Sequence, residues 1–460
     1  MARGRKKEAL TPEECLQAAL VPESEQPYKV PVNWCWGRLK ASINLYNGDR
    51  GTNYPSKKDY QFSGVPFINA GAIVDGELNE AEFNYISEEK YDALRAGKIQ
   101  QGDILYCLRG SLGKTAIVHQ KFKGAISSSL CILRANQSLL KEYLYYLLCS
   151  NVIGHQQVLA ENGSAQPNLS AASVMDYMIP LSPLAEQHRI VDRIESLFAK
   201  LDEARQKAQD ALDSFETRKA AILHRAFTGE LTAQWRKEHG VGMESWENLK
   251  IGTYAQVKGG KRLPKGHKLV TERTAHPYLR IADFGDGTIN DSDLHYITED
   301  TFSQIKNYII NKEDVYISIV GSIGKAGVIP ESLNGANLTE NAARIISSRT
   351  LPRYLSSFLS SPKAQNDIQN RIRSATLGKL SLLNIKDIET PVPSIEEQTE
   401  IIRILDNLLA KEQQAKEAAE GVLEQIDLIK KAILTRAFRG ELGTNDPSEE
   451  SAVELLKQVL

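Results

Sequence analysis

Gly110-Ser-Leu-Gly-Lys114-Thr115 has the residue types of a phosphate-binding loop, in which glycines let the backbone wrap an anion and a lysine reaches it. The spacing is wrong. Such a loop needs a glycine five residues before the Gly-Lys pair, and that position is Leu108. A second occurrence, Gly321-Ser-Ile-Gly-Lys325-Ala326, lacks the metal-binding hydroxyl, and the residues after Lys114 read as strand where a phosphate loop would open a helix. Both segments therefore predict a tight turn between two strands, with glycines at positive φ and a lysine near the tip. That tip suits a phosphate contact, with plain solvent exposure as the competing role.

Other chemistry is harder to find. Ile281-Ala-Asp-Phe-Gly-Asp-Gly287 has the look of a glycine-rich cofactor loop, but its counterpart Ala70-Gly-Ala-Ile-Val-Asp-Gly76 keeps only the final Asp-Gly, which a turn explains. There is no HExxH or GxSxG sequence, and the eight histidines have no recurrent partners. The five cysteines, Cys15, Cys35, Cys107, Cys131 and Cys149, form no CxxC pair and read as buried free thiols. We expect no catalytic residue, metal site or cofactor in this chain.

Binding residues are more visible. The loops Gly48-Asp-Arg-Gly-Thr-Asn-Tyr-Pro-Ser-Lys-Lys58 and Gly259-Gly-Lys-Arg-Leu-Pro-Lys-Gly-His-Lys268 are basic and differ in almost every side chain. Arg, Lys and Asn are the residues that read base edges in the major groove. Candidate nucleic-acid contacts are Arg50, Asn53, Lys57, Lys58, Arg109, Ser111, Lys114, Gln166 and Asn168 in the first half. In the second they are Lys261, Arg262, Lys265, Lys268, Arg280, Ser322, Lys325 and Lys379. Two of these positions, Gln166 and Asn168, lie in a small polar segment, 162–170, matched by 374–381, whose residues suit either phosphate contact or helix capping.

The elements that hold these residues come in duplicate. Residues 180–231 and 391–442 align at a shift of 211 without a gap, with 20 identities in 52 positions, including Glu186-Gln187 with Glu397-Gln398 and Arg225-Ala-Phe227 with Arg436-Ala-Phe438. Upstream the match is looser; Trp36 and Leu39 fall on Trp246 and Leu249 at a shift of 210. Each copy is a variable part followed by a helical part. Apolar or small residues at Ile190, Ile194, Leu197, Leu201, Ala204, Ala208, Ala211, Phe215 and Ile222 alternate in steps of four and three, with one polar miss at Arg218. Ile401, Leu405, Leu408, Ala415, Ala419, Val422, Ile426, Ile429 and Ile433 repeat the pattern, missing only at Glu412. That is a heptad seam, and 44 unbroken residues from Leu184 to Phe227 make a rod of about 66 Å. The two like helices are expected to pair with each other, antiparallel, with packing of each on its own domain as the alternative. The variable parts read as α+β, with strands such as Val65–Ile68 and Val315–Val320 and helices such as Glu142–Cys149.

The predicted organisation is an amino-terminal extension (1–30) without a repeat partner, an α+β domain (31–180), a central helix (181–231), a second α+β domain (241–390), a distal helix (391–442) and a tail (443–460). Net charge is −2, with +1 on residues 31–180 and +3 on 241–390, so any nucleic-acid affinity rests on local clusters or on a partner. No apolar run approaches the ~20 residues that span a bilayer, and no secretory signal is visible, so the expected location is cytoplasmic.

A variable domain, a Pro-x-x-Glu-Gln helix ending in Ala-Phe-x-Gly-Glu-Leu, then both again, resembles the specificity subunit of type I restriction-modification systems, over residues 31–442. The resemblance implies that each variable part is a target-recognition domain reading one half of a split double-stranded DNA site. It also implies an antiparallel coiled coil of pseudo-two-fold symmetry that spaces the two halves. The helical regions would dock two methyltransferase subunits, here through Glu186, Gln187, Arg225, Phe227, Glu397, Gln398, Arg436 and Phe438. S-adenosylmethionine would bind those subunits, and restriction subunits would join with ATP and Mg. The alternative is a coiled-coil scaffold whose globular domains bind protein partners.

Overall fold

The computed structural model describes residues 11–161, 167–373 and 378–460. The chain divides into two compact units, Met1–Lys207 with Val422–Leu460, and Ala208–Gly421. Each is built from the same parts.

In unit 1 a four-stranded antiparallel sheet has the spatial order Ile43–Asn47, Leu130–Ala135, Ile104–Cys107, Thr115–Ile117. Its central strand Ile-Leu-Tyr-Cys is buried on both faces, which is why the run shows no alternation of polar and apolar residues. A smaller sheet of Asn84–Ile86, Val65–Ile68 and Ala125–Ile126 carries its own mini-core of Val65, Phe67, Ile86, Tyr91 and Leu94. Unit 2 repeats the larger sheet with Ala255–Gly259, Ala342–Ser347, Val315–Ser318 and Ala326–Val328. Its smaller sheet is His295–Tyr296, Pro277–Leu279, Ala336–Leu338 and Ile309–Ile310. The fold is α+β and duplicated, as the sequence predicts.

A two-stranded ribbon joins the start of each domain to its end, and it corrects the alignment near the starts. Cys35 pairs with Leu181 and Glu247 pairs with Val392. The shift there is 212, so Trp246 corresponds to Trp34, and Leu39 corresponds to Ile251. Both Leu39 and Ile251 are fully buried, and they donate to the matching carbonyls of Tyr177 and Ile388.

The distal helix, Ile395–Ala437, is unbroken over 43 residues, about 65 Å of axis. The central rod is not a single helix: Leu184–Asp213 and Phe215–Phe227 are separated at Ser214. The backbone bonds Ser214 N to Asp210 O (3.1 Å) and Arg218 N to Ser214 O (3.0 Å) continue across the break. The Ser214 hydroxyl also donates back to Asp210 O at 2.9 Å, the arrangement by which serine bends a helix. Gly229 and Gly440, at φ +82° and +72°, end the two rods in the left-handed region that glycine tolerates.

Within each unit the two helices meet through ion pairs. In unit 1 Asp202 accepts from Lys430 at 2.5 Å and Arg205 meets Asp427. In unit 2 Arg218 meets Glu412 at 2.7 Å. In unit 1 rising numbers on one helix meet falling numbers on the other, which is antiparallel order. The predicted seam is only partly buried: Ile190, Ile194, Ala208, Phe215, Ile401, Leu405, Ala419 and Ile426 are, whereas Ala211, Ala415, Val422 and Ile429 are exposed. Two helices offer each other one narrow stripe, so seam residues at its margin stay in water. Near the rod ends a neighbouring stripe, Leu223–Ala226–Phe227 and Leu434–Ala437–Phe438, turns into the domain cores instead.

The amino-terminal segment is built into unit 1. Its helix Pro12–Ala19 is capped by Thr11 and Glu14, and the Tyr28 hydroxyl donates to Phe438 O at 2.9 Å. Ala452 and Leu456 of the tail helix Ala452–Lys457 are fully buried in the same core. Among the described residues, no helix is long and apolar enough to cross a membrane.

Candidate nucleic-acid interface

In unit 1 the turn 127–129 gathers the segments that the sequence singles out. The Tyr54 hydroxyl of the basic loop accepts from Ser128 N at 3.2 Å, and Ser129 O accepts from Leu108 N at 2.8 Å. Leu108 O in turn accepts from Leu169 N at 2.8 Å, and Arg109 Nε donates to Asn168 Oδ1 at 3.0 Å. Basic loop, glycine turn and polar segment therefore share one neighbourhood. Gly48 is required at its edge, since a Cβ there would lie 2.5 Å from Ser127 O.

The basic loop is held by its acids so that its cations face outward. Buried Asp49 accepts from Gly51 N (2.7 Å) and Arg95 N (2.8 Å), and these backbone donors hold its carboxyl below the usual range. Asp59 caps Ser56 at 2.7 Å and starts the short turn carrying Lys57 and Lys58. Arg50, Lys57 and Lys58 are exposed, and their side chains have no ion-pair partner among the described residues. Asn53 instead donates to Ala93 O at 3.0 Å and fastens the loop.

Unit 2 repeats the arrangement with different side chains. Gly260 N and Lys261 N donate to Ala342 O (2.9 Å) and Leu338 O (2.8 Å). Ile319 N donates to Asn341 O (2.8 Å), and Leu380 N to Ile319 O (3.1 Å). A Cβ on Gly260 would lie 2.1 Å from Thr339 O, so this close approach also needs glycine. Lys261, Lys265, Lys268 and Lys379 are exposed, while Arg262 is drawn to Glu340 at 2.7 Å. Arg280 is differently placed. Its guanidinium clamps Asp283 (2.6 Å) and Asp293 (3.2 Å), and the Asp283 bond raises its already high pKa. It braces a turn inside the domain.

The glycine turns are hairpin turns, with Ile104 paired to Ile117 and Val315 to Val328 across them. Gly110, Gly113, Gly321 and Gly324 all have φ between +75° and +91°. Lys114 Nζ donates to Ile73 O and Lys325 Nζ to Phe284 O, each at 3.2 Å and each 41 residues away. The lysine is thus a strut to the same neighbouring turn in both copies. An ammonium has three donors, so two remain for an anion. Ser111 and Ser322 are exposed on the same turns. Gln166 lies outside the described residues.

The expected docking residues are placed otherwise. Gln187 Oε1 accepts from Leu140 N (2.9 Å), and its Nε2 donates to Ser138 O and Ser182 O (both 3.0 Å). Gln398 makes the matching set with Leu351 N (2.8 Å), Arg349 O (3.0 Å) and Pro393 O (2.9 Å). These glutamines latch each helix to the domain that precedes it. Glu186 accepts from Trp34 Nε1 (2.6 Å) and Asn445 Nδ2 (2.8 Å). Glu397 accepts from Arg236 Nη1 (2.6 Å), Thr232 Oγ1 (2.7 Å) and Trp246 Nε1 (2.9 Å). All four latch residues are buried.

Phe438 packs edge-on to Tyr143 at 5.2 Å, and Phe227 to Tyr354 and Phe358 at 5.3 Å. The expectation of surface docking is corrected for these six, because their polar atoms and rings are already used within their own unit. Only Arg225 and Arg436 remain exposed, beside Glu230 (3.3 Å) and Glu441 O (3.0 Å). Sequence reasoning missed Trp34, Arg236 and Asn445. The repeated Glu-Gln pair was the available signal for them, since two identical buried polar residues require partners.

Comparison with known proteins agrees with this geometry. The chain is 24% identical to the type I restriction enzyme EcoBI specificity subunit of Escherichia coli, covering 93% of this chain and 92% of that one. It is 24% identical to the EcoKI specificity subunit of the same species, covering 94% and 96%. The HsdS subunit from Thermoanaerobacter tengcongensis shares the fold with a TM-score of 0.63 at 23% identity, over 91% of this chain and all of that one. The description "Type I restriction modification DNA specificity domain" matches residues 32–211 and again 243–421. Two such domains, repeated in one duplicated frame, make this chain a member of the type I restriction-modification specificity subunit family.

Proposed function

We propose that each α+β domain reads one half of a bipartite duplex site, and that the paired helices form one antiparallel coiled coil that sets the distance between the halves. The observation that carries this reading is the convergence, in both units, of a basic loop, a glycine turn and a polar segment on one backbone turn. The frame is repeated, while the outward side chains are Arg50, Lys57 and Lys58 in one unit and Lys261, Lys265 and Lys268 in the other. A shared frame with different base-facing residues suits the reading of two different sequences. The near-neutral net charge is consistent with partner subunits supplying part of the phosphate contact.

Because the Glu-Gln latch is buried, docking of two methyltransferase subunits falls to the exposed apolar residues of the distal helix, Val422, Leu428 and Ile429. Those subunits would hold S-adenosylmethionine, and restriction subunits with ATP and Mg would complete a cleaving assembly. The test is selection from random duplexes by the full chain with its methyltransferase subunits. A two-part consensus with a fixed spacer is expected, and recovery of no such consensus overturns the reading.

A further inference from the structure

Phe62 is the most exposed large apolar side chain among the described residues, at 107% of its reference area. None of the described residues covers the ring. Its loop is nonetheless pinned at both ends: Gln61 N donates to Tyr85 O at 2.9 Å, and Gly64, at φ +143°, sits where a Cβ would lie 2.5 Å from Ile86 O. Two other aromatics of the loop, Tyr54 and Tyr60, pack on Phe67 at 5.7 and 6.2 Å. The third points outward from a fixed base. Lys57 and Lys58, both exposed cations, precede it by five and four residues.

An apolar ring standing in water on a cation-bearing loop is explained by a ligand with both phosphates and an apolar spot. Duplex DNA has one such spot in the major groove, the C5 methyl of thymine; the other base edges there are polar. The corresponding loop of unit 2, between Val270 and Pro277, presents exposed Glu272 and Arg273 in place of an apolar tip. We propose that Phe62 packs against a thymine methyl and is a specificity-determining residue of the first half-site. This rests on the reading of unit 1 as a DNA-reading domain.

The test uses the full chain with its methyltransferase subunits on its selected site. Each thymine of the first half, on either strand, is replaced singly by deoxyuridine, which lacks only the methyl. One position is expected to lose about fourfold in affinity, the value of one methyl-sized apolar group. Phe62→Ala should abolish the difference between thymine and deoxyuridine at that position and leave selectivity in the second half unchanged; Phe62→Leu should keep part of it. The proposal is overturned if no position responds, if the first half contains no thymine, or if Phe62→Ala retains the thymine preference. Failure to select any two-part site would instead sink the underlying reading.

Discussion

The buried glutamate at the start of each long helix is the same residue in the same place, satisfied by different chemistry. In unit 2 Glu397 has a cation, Arg236, whose guanidinium also reaches Gly229 O at 2.6 Å. In unit 1 Glu186 receives neutral donors from Trp34, Asn445 and Thr444, and the nearby Arg189 goes to Glu449 at 2.8 Å instead. The difference teaches that the duplicated frame keeps the buried carboxylate and its tryptophan donor, Trp34 or Trp246, and leaves the remaining donors free to be neutral or charged. The glutamines beside them show the opposite case, because their partners are backbone atoms that every residue supplies, save the N–H that proline lacks.

That contrast can be broken by mutation. Arg236→Ala strands a buried carboxylate, and a loss of about 3–5 kcal/mol is expected, confined to the unfolding of unit 2. Equal weakening of both units in denaturant titrations with unit-specific probes would contradict the division into separate latches. Gln187→Ala and Gln398→Ala should each cost about 1–3 kcal/mol through unpaired backbone groups, and by similar amounts. A large disparity between them would show that the two latches are not equivalent. Asn445→Ala removes one neutral donor among several and should cost about 1 kcal/mol, clearly less than Arg236→Ala. The smallest effect is expected from Lys114→Ala and Lys325→Ala. Each should lower the salt slope of DNA binding by about one if its free donors reach phosphate, and an unchanged slope would leave both lysines as struts alone.

Much of the frame was legible in advance, because periodicity and repetition are properties of the chain itself. The heptad pattern located both helices to within a few residues, and the paired glycines marked the hairpin turns. What escaped depended on partners distant in sequence. Trp34 and Trp36 lie two residues apart and either could match Trp246 by sequence; the pairing of Cys35 with Leu181 fixes the register. The Glu-Gln pair looked like a surface motif because charged and amide side chains usually are, and here the donors that bury it lie as far off as Asn445. Arg280 reads as an available cation in the sequence, and its partner Asp293, thirteen residues on, joins Asp283 in occupying it.

Unit 2 is one continuous stretch of chain, whereas unit 1 is assembled from two stretches, Met1–Lys207 and Val422–Leu460, that flank unit 2 in sequence. During synthesis, residues 208–421 can reach their final arrangement as soon as they emerge, but Phe438, Asn445 and Leu456 are the last partners to arrive for a domain begun some four hundred residues earlier. Closing so long a loop is slow, so unit 1 is finished after unit 2 although most of it is made earlier. A stop before Ala437 would therefore damage the domain over residues 31–180, and a nascent chain stalled there would display an open apolar core where Ala437 and Phe438 belong.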